Sequence, residues 1–522
     1  MRKSKVFTSN TINIWEDLRL RLMFEGIVVG ILAGLVVISF RILLERAEDL
    51  RRLIYQLISP SPVMIFFYFL ALLVIAAILG YIVRAEPMVA GSGIPQVKGQ
   101  LSGHFVISWP KVIIWKFIGG ILAIGAGLSL GRQGPSVQLG GAVGHGLGRL
   151  TGRTRVENKY LITCGASAGL AAAFNAPLAG VIFALEELHK SFSPVILASA
   201  MTASIAADFI SQYFFGQQPV FHFPAMPALP LKYYELLVVL GLIVGLLGLF
   251  FNISLLQAQK LYKQYIKSVQ YRPLIPVITA GILGFFVPDV LGGGEYLVIE
   301  MGNSNFLFST LLILLVAKFA FTMVSHGSGA PGGIFLPLLV IGALIGNLIG
   351  LLFADLSLLP PEYIDNFIAF AMAGYFTAIT KAPITGTILI TEMTGSFSNL
   401  LPVGIVCLSA YFMTELFKSR PIYDVMLERM LLKEHIGYIS NEGKKTIIEI
   451  PISLGSSLDQ KLIKDVIWPK DCLLVGVVRG GKEIIPKGNT KLQMGDYLVV
   501  LTNRKDEAFI YESLNKLAKE TD

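Results

Sequence analysis

Gly131-Arg132-Gln133-Gly134-Pro135-Ser136-Val137-Gln138-Leu139-Gly140-Gly141 lies inside a long apolar chain, yet it is built largely of glycine and polar residues. Two glycines flank Arg132-Gln133. Pro135 follows where the first turn of a helix accepts proline, whose missing N–H is one of the donors a helix start leaves unpaired anyway. The stretch therefore predicts a helix beginning here. Its first amides have no partner within the helix, and the aligned peptide dipoles make that end positive. At membrane depth water cannot satisfy those amides, so a bare helix start is costly unless something negative rests on it. The expected occupant is a small anion. A loop capping an ordinary membrane-spanning helix is the other reading of this segment taken alone.

The surrounding chain supports membrane depth. Of 522 residues, 54% are hydrophobic and only 15% charged, where a soluble protein carries about a quarter charged. Val63 to Val83 is an unbroken apolar run, long enough to cross a hydrocarbon core of about 30 Å as one helix. Leu236 to Leu256 is nearly as clean. Met1 to Lys5 is basic and is followed by polar residues, so a cleavable signal peptide is not expected. The net charge of +8 falls into clusters at the N-terminus, Arg149 to Lys159, Lys260 to Arg272 and Lys418 to Lys433. Basic loops mark the cytoplasmic face, so both termini are expected inside, at the plasma membrane, and no nucleic-acid partner is implied. Cys164, Cys407 and Cys472 are scattered and suggest neither a disulfide nor a metal site. No cofactor is expected.

Three regions follow: a polar cytoplasmic segment at 1–20, a transmembrane domain at 21–432, and a small cytoplasmic α+β domain at 443–522. Leu22 to Arg41 opens the membrane part, and Glu45 to Arg52 reads as a charged helical end. Further on, apolar segments are cut by Gly134-Pro135, Ala176-Pro177, Ala330-Pro331-Gly332-Gly333 and Ala382-Pro383. Broken helices at bilayer depth persist only when buried in protein or lining a cavity. In the last region, Thr446 to Ile452, Leu473 to Val478, Glu483 to Pro486 and Tyr497 to Thr502 predict strands, with a hairpin turn at Gly480-Gly481. Asp506 to Leu517 predicts a helix with apolar positions at Phe509, Ile510, Leu514 and Leu517.

An internal repeat is visible. Ala176-Pro177-Leu178-Ala179-Gly180 with Glu186 matches Ala382-Pro383-Ile384-Thr385-Gly386 with Glu392 at one constant offset, and Gly141-Ala142 sits opposite Gly342-Ala343. Interrupted segments in corresponding places of two halves point to a site at the repeat interface near the midplane. Four stretches share one chemistry, amides or hydroxyls offered by broken backbone. They are Gly91 to Pro95 with Ser92, Gly131 to Pro135, Gly333 to Pro337, and Pro421-Ile422-Tyr423. Arg132 is the one candidate for a fixed cation beside the ion. Partial charges and hydroxyl dipoles offset dehydration without trapping an ion, and several helix ends must converge because each carries only about half a charge. Lys116 and Lys318 are lone cations in apolar runs, for which snorkelling or a raised pore potential is expected.

These stretches, GSGIP, GRQGP, GGIFLP and the tyrosine of RPIY, resemble the signature segments of the CLC chloride channel and transporter family. So does the run from Gly165 through Phe174-Asn175-Ala176-Pro177 to Glu186-Glu187. The resemblance covers residues 20–432. It implies an all-α, eighteen-segment fold of two inverted halves of broken helices, working as a homodimer with one pore per subunit and carrying chloride as the transported ligand. Ser92 and Tyr423 hydroxyls with the amides of Ile334 and Phe335 would hold the central chloride. The amide of Gly134, with Ile334 to Leu336, would lie nearer the external site. Ser92 as a helix cap, Tyr423 as an interface aromatic and Phe335 as core packing remain open alternatives. Glu187 matches the family's inner proton-transfer glutamate, which suggests an exchanger scaffold; the alternative is a helix end at the cytoplasmic interface.

One position departs from the family. The middle of GREGP is a glutamate there and Gln133 here. An ionised glutamate competes with chloride for the external site; a protonated one swings away carrying a proton. Glutamine has nearly the same shape and cannot titrate, so chloride movement with little or no coupled proton movement is expected. A coupled antiporter using another proton route, and a passive channel, are the alternatives. The terminal region resembles the TrkA/RCK C-terminal lobe, through its strand order and Gly495 to Val500. That implies dimerisation or binding of a small cytoplasmic ligand. An intramembrane hydrolase would draw on Ser92, Ser167 or Ser328 with His104 or His326, most suggestively in His326-Gly327-Ser328-Gly329, but nothing supplies a third group. A cation transporter would need a carboxylate-lined path, which the broken stretches do not supply.

Overall fold

Proline sets many of the helix starts. Pro62, Pro95, Pro110, Pro177, Pro194 and Pro383 each occupy the first turn of a helix, where the pre-set φ suits the helix and no N–H is lost from it. The computed structural model describes residues 2–58, 61–190, 192–221, 223, 226–303, 306–435, 445–453, 456–479, 482–503 and 506–519. The chain divides into two compact units, Met1–Met430 and Leu431–Asp522.

In the first unit, eight helices among the described residues are long and apolar enough to cross a membrane; among them are Leu20–Ile58, Pro62–Ala85, Leu231–Tyr265 and Phe335–Asp355. Shorter helices stand between them, including Ile94–Leu101, Pro177–Phe183 and Pro383–Thr394. Glu45 to Arg52 is not a helical end, because Leu20–Ile58 runs through it. The Phe335–Asp355 helix is buried almost throughout, which explains its continuous apolar sequence: a helix hydrophobic all round belongs in the interior.

The repeat detected in sequence is a structural one, and its two copies complete each other. Gly131 and Gly333 form an antiparallel bridge, each donating its N–H to the other's carbonyl at 2.7 and 2.8 Å. Glu392 accepts from the Leu178 and Ala179 amides at 3.1 and 2.7 Å, so a carboxylate of the second half caps the Pro177 helix of the first. Glu186 does the converse, accepting from the Ile384 and Thr385 amides at 3.2 and 2.7 Å and from the Thr385 hydroxyl at 2.7 Å. A carboxylate at a helix start satisfies orphan donors and meets the positive end of the dipole. Glu392→Gln retains the shape and loses the charge. It is expected to destabilise the protein by about 1–2 kcal/mol, read as a lower unfolding temperature of the detergent-solubilised protein; an unchanged temperature would contradict the capping role.

The two lone lysines obey the same symmetry, and neither snorkels. Both are fully buried. Lys116 Nζ donates to the carbonyls of Val89 and Gly91 at 2.9 and 2.6 Å. Lys318 Nζ donates to those of Val290 and Gly292 at 2.9 and 2.8 Å. Each ties down a tight turn followed by a left-handed glycine, Gly91 at φ 64° and Gly292 at φ 63°. They hold broken backbone in place, because carbonyls outside a regular helix need a donor when buried.

The second unit is a four-stranded antiparallel sheet in the order β1-β4-β2-β3, with β1 Lys445–Pro451, β2 Cys472–Arg479, β3 Lys482–Ile484 and β4 Tyr497–Asn503. The third strand ends at Ile484, short of the expected Pro486, since proline cannot donate to a ladder. The turn expected at Gly480-Gly481 lies outside the described residues. The Glu507–Lys519 helix buries Ile510, Leu514 and Ala518, whereas Phe509 is exposed. Gly495 takes a left-handed φ of 83°. The buried Asp496 beside it accepts from Arg479 at 2.7 and 2.8 Å and from the Gln493 amide at 2.9 Å, which gives the Gly495-Asp496 pair its structural role.

Candidate functional site

The Gly131–Gly333 bridge lays two helix starts side by side, those of Gln133–Leu150 and Phe335–Asp355. Neither start has a side-chain cap. Gly134 is in the first turn of one; Ile334, Phe335 and Leu336 form the cap position and first turn of the other. Space between them is tight: a β-carbon on Gly134 would stand 2.5 Å from Ser92 Oγ, 2.6 Å from the Ser92 carbonyl and 3.2 Å from Gly333 Cα. Gly134 is therefore a close-approach glycine, where any side chain would intrude on its neighbours.

Ser92 enters from the turn before the Ile94–Leu101 helix, which opens on left-handed Gly93 at φ 95°. It does not cap that helix. Tyr423 enters from the first turn of Ile422–His435 and has Ser92 as a side-chain neighbour. Ser92 is 3% exposed and Tyr423 0%, yet neither hydroxyl has a hydrogen-bond partner among the described residues. Buried hydroxyls are normally satisfied, so two neighbouring ones beside two uncapped helix starts make an uncompensated cluster of polar groups. Tyr423 is thus a buried residue and not an interface aromatic. Phe335 does pack in the core as well: its ring meets Phe174, Phe183 and Phe376 at centroid distances of 5.4, 6.2 and 4.8 Å.

Gln133 is fully buried, and neither atom of its amide is hydrogen-bonded. Its Oε1 lies over Gly131, 2.4 Å from where a β-carbon of that glycine would stand. Arg132, the one candidate cation, turns away to Glu295 at 2.9 Å and Glu45 at 3.6 Å. What the two helix starts, Ser92 and Tyr423 offer is therefore dipoles and not the Arg132 charge.

Glu187 lies in a single π-helical turn, Ala184–His189, and is 2% exposed. This places it inside the protein and not on a solvated helix end. Lys98 Nζ pairs with it at 2.7 Å, and Lys98 and Lys190 both pair with Asp424. Glu187 is also an electrostatic neighbour of Tyr423. An open cleft of about 420 Å³ reaches this network and is lined by Glu186, Glu187, Lys190, Lys381, Glu415 and Asp424. Sequence reasoning missed Lys98 and Asp424; the signal was Lys98 as the sole charge in the GSGIPQVKGQL stretch, one turn beyond Pro95. The hydrolase reading lacks geometry. Ser328 Oγ donates to the Ser325 carbonyl at 2.7 Å and accepts from the Ala330 amide at 3.2 Å, so it is engaged within its own turn.

Residues 75–415 match the profile of the voltage gated chloride channel family. The chain belongs to that family. This CLC chain is 34% identical over 432 residues, 79% of its own length and 90% of the relative's, to the H(+)/Cl(-) exchange transporter ClcA of Vibrio cholerae. It is 32% identical over 426 residues to the ClcA of Klebsiella pneumoniae, covering 80% of this chain and 90% of that one. Among solved structures it resembles a slow cyanobacterial Cl-/H+ antiporter, with TM-score 0.73, 32% identity, and 80% and 99% of the two chains covered. It also resembles a CLC-type fluoride/proton antiporter, with TM-score 0.65, 26% identity, and 77% and 97% covered. The fold is that of the CLC family, with the small sheet domain appended. Residues 447–515 match the TrkA-C domain.

Proposed function

We propose that this CLC chain carries chloride across the membrane past the polar cluster of Ser92, Tyr423 and the two helix starts, with little or no coupled proton movement. The observation that carries the reading is the pair of buried, unpartnered hydroxyls, Ser92 lying against Gly134 at an uncapped helix start and Tyr423 beside Ser92. Hydroxyls, amides and helix dipoles attract an anion weakly enough to let it leave, as fast conduction requires. Ser92, Tyr423 and the amides of Ile334 and Phe335 take the central ion; the amides of Gly134 and of Ile334 to Leu336 take the outer one. Gln133 stands at the gate. The relatives named above are proton-coupled, and Glu187, buried near Tyr423, is the candidate inner proton acceptor inherited with that scaffold. With a glutamine at the gate no carboxylate at that position can take the proton outward.

The protein works as a homodimer with one pathway per subunit. It sits in the plasma membrane with both termini cytoplasmic, and residues 443–522 provide dimerisation or a small-ligand site. Paired chloride and pH electrodes on reconstituted vesicles test the reading. Chloride efflux down its gradient is expected with no uphill proton movement; uphill proton movement driven by chloride would sink the uncoupled reading.

A further inference from the structure

His326 ends the Phe308–Gly327 helix one residue early, is 2% exposed, and has no partner for either ring nitrogen among the described residues. A neutral imidazole is one donor and one acceptor, and leaving both unmet in the interior is unusual. The ring does not serve its own turn, where Ser328 is already engaged. It faces the loop that presents Ser92: Nε2 lies 3.8 Å from where a β-carbon of Gly91 would stand. That loop is fixed, since the Gly91 N–H donates to Gly329 and the Gly91 carbonyl accepts from Gly332 and from Lys116 Nζ. The charged and titratable groups around the ring are few. Lys116 faces it from the Trp109–Gly125 helix. Tyr262, from the Tyr234–Tyr265 helix, has its hydroxyl on the Val324 carbonyl at 3.0 Å. Lys318, on the same helix as the ring, is held by Val290 and Gly292.

We propose that His326 is the titratable wall of the anion site, taking up a proton when an anion arrives beside Ser92 and releasing it when the anion leaves. The proposal rests on the chloride pathway reading above. A charged ring buried beside an ammonium finds compensation when an anion binds beside Ser92, so proton and anion favour each other's binding. Gln133 offers no competing carboxylate to mask this. By reciprocity, whatever factor the anion adds to proton affinity the proton adds to anion affinity. Acid therefore tightens chloride binding, and no transmembrane proton movement is needed.

The test is calorimetric titration of chloride into the detergent-solubilised full-length protein at pH 7.5 and pH 5, in buffers of different ionisation enthalpy. Affinity is expected to rise about tenfold at the lower pH, with proton uptake on binding, and H326Q, which keeps a donor and an acceptor but cannot titrate, is expected to abolish both. Wild-type affinity independent of pH, or the same dependence in H326Q, overturns the inference. If H326Q does not fold, the wild-type measurement decides, since binding without proton uptake excludes the role. S92A run in parallel separates the two claims: unchanged chloride binding in S92A means the pathway reading itself has failed.

Discussion

Gln133→Glu is expected to turn a freely passed anion site into a gated one. A carboxylate at this position lies over Gly131, next to the helix starts whose amides are proposed to take the outer anion. Two like charges about 4 Å apart repel by about 4 kcal/mol at an effective dielectric near 20. That is enough to lower chloride occupancy by orders of magnitude while the carboxylate is ionised. Chloride flux at neutral pH should therefore fall at least tenfold. It should recover on acidification, because protonation removes the competing charge. Chloride-driven uphill proton movement should appear in the same vesicles, with Glu187 as the proposed inner proton acceptor. The paired electrodes read both quantities. Flux equal to that of the wild-type chain at neutral pH would show that position 133 does not face the pathway.

The second large effect is steric. Gly134→Ala puts a methyl 2.5 Å from Ser92 Oγ and 2.6 Å from the Ser92 carbonyl, well inside van der Waals contact, so backbone must shift. Overpacking of this kind costs about 1–3 kcal/mol, and here the shift moves the Ser92 hydroxyl and the Gly134 amide, both proposed to hold the ion, apart. Loss of nearly all chloride flux is expected while the protein still assembles. Gly141→Ala, on the same helix, is the control. Its nearest neighbours would be 3.6 Å away, an ordinary contact, and the first-turn amides are untouched, so near wild-type flux is expected. Equal loss in both variants would mean that the helix, and not the site, is what Gly134 protects.

How much of this was legible beforehand follows from the physics of each residue. GSGIP, GRQGP, GGIFLP and RPIY could be read because glycine and proline announce a helix start directly, and a helix start at membrane depth has few uses. The pairing of the starts was only half legible. The repeat set Glu186 opposite Glu392, but their exchange across the halves, each capping the other's helix, depends on a fold that no local pattern encodes. Lys116 and Lys318 misled for a similar reason. Their partners are backbone carbonyls, and carbonyls carry no sequence signature, so a structural strap looked like a cation stranded in lipid. Lys98 and Asp424 meet from opposite ends of the chain and could be paired only in three dimensions. In the sheet domain, alternation located the strands, while Phe509 looked like core and is solvent-facing, because several registers of a short amphipathic helix fit the same apolar residues.

The crossed glutamate caps also govern how the polypeptide is made. A ribosome delivers the Pro177 helix long before Glu392 exists, so the nascent first half enters the bilayer with donors that its own sequence cannot quiet. Those donors must be tolerated, by lipid headgroups or insertion machinery, until the last third of the chain arrives. The crossed caps can close only once both halves have been made. Either half synthesised alone is expected to be degraded, and the two produced as separate polypeptides in one cell are expected to rescue each other.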